Sequence, residues 1–186
     1  MKITLDTSQM LERWRLARGL VPLRGDCAIT RHDGVDADSL LIADMRRWYL
    51  DLLDTAPVGL LAPEDISDDV SVNVGDDGVA SLSLPENCRR VIEIRLTQWM
   101  QPAIIVSDHD ARLAQLQSSP YSHGGCYRPV AVVDGRRLRL YSVDPEKEVS
   151  VASCIAVVEP ADGTFKLDER ALPVYSPFNV NQNEQR

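Results

Sequence analysis

The hydrophobic period of this sequence changes from helical to strand-like after "TAPVGLLAPED", residues 55–65, and that change limits the folds open to the chain. Before it, apolar residues recur at three- and four-residue spacing, as on one face of a helix; after it they alternate, as on one face of a strand. In "LLIADMRRWYLDLLD", Leu41, Met45, Trp48, Tyr49, Leu52 and Leu53 form an apolar stripe, while Asp44, Arg46, Arg47 and Asp51 fall on the water side. A helix capped by Asp38 or Ser39 is therefore predicted. An earlier helix, "SQMLERWRLARG", is capped by Asp6 or Thr7 and ends at Gly19, with Met10, Leu11, Trp14, Leu16 and Ala17 on its stripe. Between the two lies an arm, residues 20–38, rich in Gly, Pro and Asp and without sustained period. Loops of that length in compact domains are functional or serve as interaction arms.

Beyond residue 58 the signals are those of hairpins. "DVSVNVGDDGVASLSLP" alternates Val70, Val72 and Val74 with Val79, Leu82 and Leu84 about a Gly75-Asp76-Asp77-Gly78 turn. "PENCRR" reads as a short capped turn leading into "VIEIRLTQWMQPAIIV", two strand-like pieces broken near Pro102. "SDHDARLAQLQSS" carries acidic capping residues at Asp108 and Asp110 and reads as a short helix. "RPVAVVDGRRLRLYSV" is a second hairpin with Asp134-Gly135 as its two-residue turn, and "EVSVASCIAVVEP" is a further strand. "ERALPVYSPFNVNQNEQR", with two prolines and a polar end, reads as an extended tail.

The fold class that follows is α+β. An N-terminal helix pair with a long arm packs on a largely antiparallel β unit, sandwich-like or barrel-like, with one inserted short helix and an extended C-terminal tail. The boundaries are 1–58 for the helical part with its arm at 20–38, 59–160 for the β unit with its helix at 108–118, and 161–186 for the tail. The absence of βαβ alternation argues against a parallel sheet.

Chemistry-bearing residues are few. His123-Gly124-Gly125-Cys126 sets a base three residues from a thiol, the arrangement a nucleophilic cysteine needs, and equally a turn with a half-buried cysteine. Asp108-His109-Asp110 splay around a helix and do not meet one metal, and "RHDGVDAD" (His32, Asp33, Asp36, Asp38) lacks the spacing of a calcium loop. No phosphate-cradling glycine motif is present, and cysteines 27, 88, 126 and 154 have no zinc-like spacing, so no catalytic, cofactor-binding or metal-binding residue is assigned. Lys and Arg total 20 against 28 Asp and Glu, and a net charge of −8 disfavours generic binding to nucleic-acid phosphates. No apolar run is long enough to span a bilayer, and "MKITLDTSQMLERWRLARGL" carries charges where a signal peptide needs apolar residues, so an intracellular protein with no membrane partner is expected.

One ordered set of segments resembles a known family. "MRRWYLDLL", a variable hairpin, "LPENCRRVIEIRLTQWMQPA", "RLAQLQS" and "YRPVAVVDGRRLRLY" follow one another between Ser39 and Tyr141. This is similar to the connector or adaptor ring proteins that join portal to tail in tailed phages. The proline-containing polar end departs from the long C-terminal helices of many adaptors. The resemblance implies a non-enzymatic virion subunit, assembled in the host cytoplasm as a homo-oligomeric ring. Its neighbours would be the portal and other connector or tail proteins, and DNA would pass without specific binding. In that reading the helix pair packs between subunits, and the arm and the tail from Pro173 onward reach adjacent chains. Trp14, Trp99, Arg136, Arg137, Tyr175 and Phe178 are the candidate interface residues, although Arg136 and Arg137 also read as solvated edge charges. A small Cys126/His123 hydrolase and a bacterial protein-binding β module are the alternatives.

Overall fold

A computed structural model describes residues 1–20, 37–75, 78–107, 111–117, 119, 121–122 and 125–173. In chain order its elements are β1 (Lys2–Asp6), α1 (Thr7–Ala17), α2 (Ala37–Thr55), β2 (Glu64–Asp65), β3 (Val72–Val74), β4 (Ala80–Ser83) and β5 (Cys88–Leu96). They continue with β6 (Ile104–Ser107), α3 (Ala111–Gln117), β7 (Val130–Asp134), β8 (Arg137–Leu140), β9 (Val151–Val158) and β10 (Thr164–Asp168). The chain is α+β, and its sheets are mainly antiparallel. It divides into two compact units: residues 1–62 with 160–186, and residues 63–159.

In the first unit, β1 pairs antiparallel with β10, from Lys2↔Asp168 to Asp6↔Thr164. The sequence reading placed 161–186 in an extended tail and gave no strand to residues 2–6. Both segments are short, and each becomes a strand only because the other supplies its hydrogen bonds. Asp6 ends β1 and caps α1: its carboxylate accepts from the Gln9 backbone N–H at 2.8 Å, and the Gln9 side chain accepts from the Asp6 N–H. That backbone hydrogen bond also holds the Asp6 carboxyl below its ordinary pKa. The Asp38 cap is corrected, because α2 begins at Ala37 and Asp38 sits in its first turn. There Asp38 is paired with Arg15 of α1, and Arg18 with Asp44. Trp14 and Trp48 meet with ring centroids 5.2 Å apart, and Tyr49 packs edge-on to Phe165 at 4.9 Å. The Tyr49 hydroxyl donates to the Lys166 carbonyl at 3.1 Å and accepts from the Lys166 N–H at 2.9 Å, tying α2 to β10.

The second unit holds two sheets, β2-β9-β5 and β3-β4-β8-β7-β6, and neither closes into a barrel among the described residues. Their facing sides share one buried cluster. Ala80, Leu82, Ala131, Leu138 and Leu140 come from the five-stranded sheet, and Val91, Ile94, Leu96, Cys154 and Ala156 from the three-stranded one. Alternation produces this directly, because every second residue of β4 and β8 points inward. The outer side of the five-stranded sheet is covered at Val106, Val130, Val132 and Tyr141 by Ala114 of α3.

Three sequence expectations change here. β6 and β7 are parallel, from Ile104↔Val130 to Ser107↔Val133, with α3 lying between them in the chain, so one local βαβ unit exists where none was expected. The turn of "PENCRR" is present but ends at Asn87, with the Cys88 N–H donating to the Pro85 carbonyl at 3.1 Å, and β5 begins at Cys88. The β7–β8 turn is Gly135-Arg136, one residue later than the Asp134-Gly135 expected, because Asp134 pairs with Arg137 in the ladder. Gly135 has φ +58, as a two-residue loop with glycine first requires. The first hairpin is present, with Val72↔Leu82 and Val74↔Ala80 in register; Asp76 and Asp77 of its turn lie outside the described residues.

Candidate functional site

Three arginines converge at one place in the second unit. β5 is the edge strand of its sheet, and its ladder with β9 slips register between Cys88 and Arg90. In a regular strand neighbouring side chains face opposite ways, whereas a bulge re-aims them. Arg89 and Arg90 accordingly line the same cleft of about 240 Å³. Arg136 reaches it from the β7–β8 turn, and Leu84, Val91, Ile105 and Val133 form its apolar walls. Ser107, at the end of β6, completes the polar lining beside Cys88.

The cleft is cationic on a strongly acidic chain. Its acidic neighbours sit at its rim: Glu86 lies 3.6 Å from Arg136 and is almost wholly in water, and Glu159 lies 4.0 Å from Arg89. Arg136 and Glu86 are both exposed, and a pair of that length between exposed groups holds little free energy. Burial pushes the Cys88 thiol pKa up, and the Arg136 charge only partly opposes this, so the thiol stays protonated at neutral pH. Cys154, deeper in the sandwich, is pushed up to about 12 by burial and is inert at neutral pH.

The candidate interface residues separate. Arg136 and Arg137 are exposed at the β7–β8 turn, and Arg136 enters the cleft. Trp14 is 3% exposed and Trp99 4%, so each is a core residue of its own unit, a correction to the interface role expected for both. Trp99 donates its indole N–H to the Ser142 carbonyl at 3.0 Å. Beside it Gln98 accepts from the Asp144 N–H and donates to the Asp144 carbonyl, so the pair clamps the segment after β8. Tyr175 and Phe178 lie outside the described residues, as do His32, His109 and His123. Cys126 is half-buried against the sandwich core, and its carbonyl accepts from the Met100 N–H at 3.0 Å. Among the described residues, no three His, Cys, Asp or Glu side chains are grouped to hold a metal ion. No helix among them is long and apolar enough to cross a membrane.

Sequence reasoning missed Arg89 and Arg90. The "CRR" triplet beside an alternating run was the available signal, but its meeting with Arg136 depends on two sheets facing each other. No protein-family model matches the sequence, and no curated protein matches it at a significant level.

Proposed function

We propose that the chain is a structural subunit of a tailed-phage particle, a head–tail connector that forms a homo-oligomeric ring between portal and tail. The observation that carries this reading is a set of large apolar side chains left in water on β6, on α3 and in the segments beside them. β6 ends the five-stranded sheet, and around it Met100 is 65% exposed, Tyr127 69% and Tyr121 fully, with Ile104, Leu113 and Leu116 beside them. Scattered apolar residues on a surface are ordinary, but several large ones near a sheet's last strand are what self-associating subunits cover. The assignment to a virion rests on the ordered resemblance between Ser39 and Tyr141. In this assembly the acidic net charge keeps a passing duplex from sticking to the wall.

Native mass spectrometry across a concentration series, with negative-stain imaging of the same samples, tests the reading. Closed particles with a central channel are expected. A protein that stays monomeric throughout overturns it.

A further inference from the structure

The two edges of the three-stranded sheet carry opposite charge. At one edge, β2 and the single helical turn Ser67–Asp69 present Glu64, Asp65, Asp68 and Asp69. At the other, β5 presents Arg89 and Arg90 on the cleft that Arg136 also lines. Only β9 separates them, so the acidic and basic groups lie at opposite edges of one sheet.

The acidic turn is built rather than loose. The Ile66 N–H donates to the Cys154 carbonyl at 2.8 Å, and the Cys154 N–H donates to the Ser67 hydroxyl oxygen at 2.8 Å, fixing the turn to β9. Asp65 folds back to accept from the Ser67 hydroxyl and its N–H, and this holds its carboxyl below the ordinary range. Asp68 and Asp69 are left exposed and form no ion pair among the described residues. Two carboxylates held outward on a fixed turn suit a guanidinium cleft, because arginine recognises carboxylates by paired hydrogen bonds.

Two complementary patches at opposite edges of one sheet suit a head-to-tail contact, the type that closes rings of identical subunits. We infer that the turn carrying Asp68 and Asp69 docks into the Arg89–Arg90–Arg136 cleft of a second copy of this chain. This rests on the ring reading above and names the contact that builds the ring.

The test uses two charge-reversed proteins, Arg89→Glu with Arg136→Glu and Asp68→Arg with Asp69→Arg. Circular dichroism melts check that each folds as the parent does. Each alone is expected to associate at least about tenfold more weakly than the parent, since close interfacial charge pairs couple by at least that much. Mixed in equal amounts they are expected to assemble again, because an acidic cleft then meets a basic turn and a basic cleft an acidic one. If the parent assembles but the variants assemble equally well, or the mixture gives no rescue, the contact is wrong and the ring reading stands. If the parent never assembles, both fail.

Discussion

Ser142 is the one described non-glycine residue with a positive φ, +68, and it stands where the chain leaves β8. Its carbonyl is pinned by the Trp99 indole, and its hydroxyl oxygen is buried with no hydrogen-bond partner among the described residues. An L-residue in the left-handed region costs about 1–2 kcal/mol. A buried hydroxyl without a partner costs about 1–3 kcal/mol more. Ser142→Gly removes both and adds backbone entropy to the unfolded chain, a loss of about 0.5–1 kcal/mol. The net expectation is a gain of about 1–4 kcal/mol. For a chain of this length, 2 kcal/mol corresponds to a melting temperature roughly 4–8 °C higher. Ser142→Ala separates the contributions, because it keeps the strained backbone and removes only the hydroxyl. It should gain less than Ser142→Gly. Differential scanning calorimetry of the three proteins at one pH decides the matter. A glycine variant that melts at or below the parent refutes the reasoning, and equal melting of the two variants removes the strain from it.

The other predictions concern the two cores, one carboxylate and the thiols. Leu140 is fully buried between the sheets, so Leu140→Ala should lower stability by about 2–5 kcal/mol in urea titration. Gly163 has φ +81, and a Cβ there would sit 3.2 Å from the Thr7 hydroxyl, so Gly163→Ala should lower the melting temperature where Gly59→Ala, with open space around it, should not. Asp168 is buried, and hydrogen bonds from Arg170 hold its carboxyl well below the ordinary value of 3.8. A depressed folded-state pKa gives stability that is complete above 3.8 and is lost as pH falls below it. Asp168→Asn should therefore melt lower than the parent at pH 7, and the difference should narrow as the buffer is taken below pH 4; a constant difference would sink the assignment. Iodoacetamide mapping at pH 8 should leave Cys154 unmodified in the native protein and label it once denatured, since its thiol pKa stands near 12.

The elements legible in the sequence were those long enough to carry their own side-chain period. α2 was readable because Met45, Tyr49 and Leu53 repeat on one stripe and are all buried. The two hairpins were readable because glycine-bearing turns join alternating runs, although the ladder set the second turn one residue beyond the Asp-Gly pair. β1 and β2 were not readable. Each is short and takes its partner from far along the chain, β10 and β9 respectively, so no local pattern marks it. The parallel pairing of β6 with β7 was hidden for the same reason, since a helix lies between them.

The candidate site divides along the same line. Arg136 could be singled out because it stands in a turn signal, and a tryptophan could be named as an anchor. Which way each tryptophan faces could not be read, because burial depends on what packs above it, and both Trp14 and Trp99 turned inward. By itself, the sequence determined the α+β class, the helical stripe and the hairpins, because side-chain period and turn residues act within a few positions. Only the tertiary structure decided that a bulged edge strand brings Arg89 and Arg90 against Arg136, with an acidic turn on the opposite edge. Strand order is set by which buried faces fit together across long stretches of chain, and no local spacing encodes it.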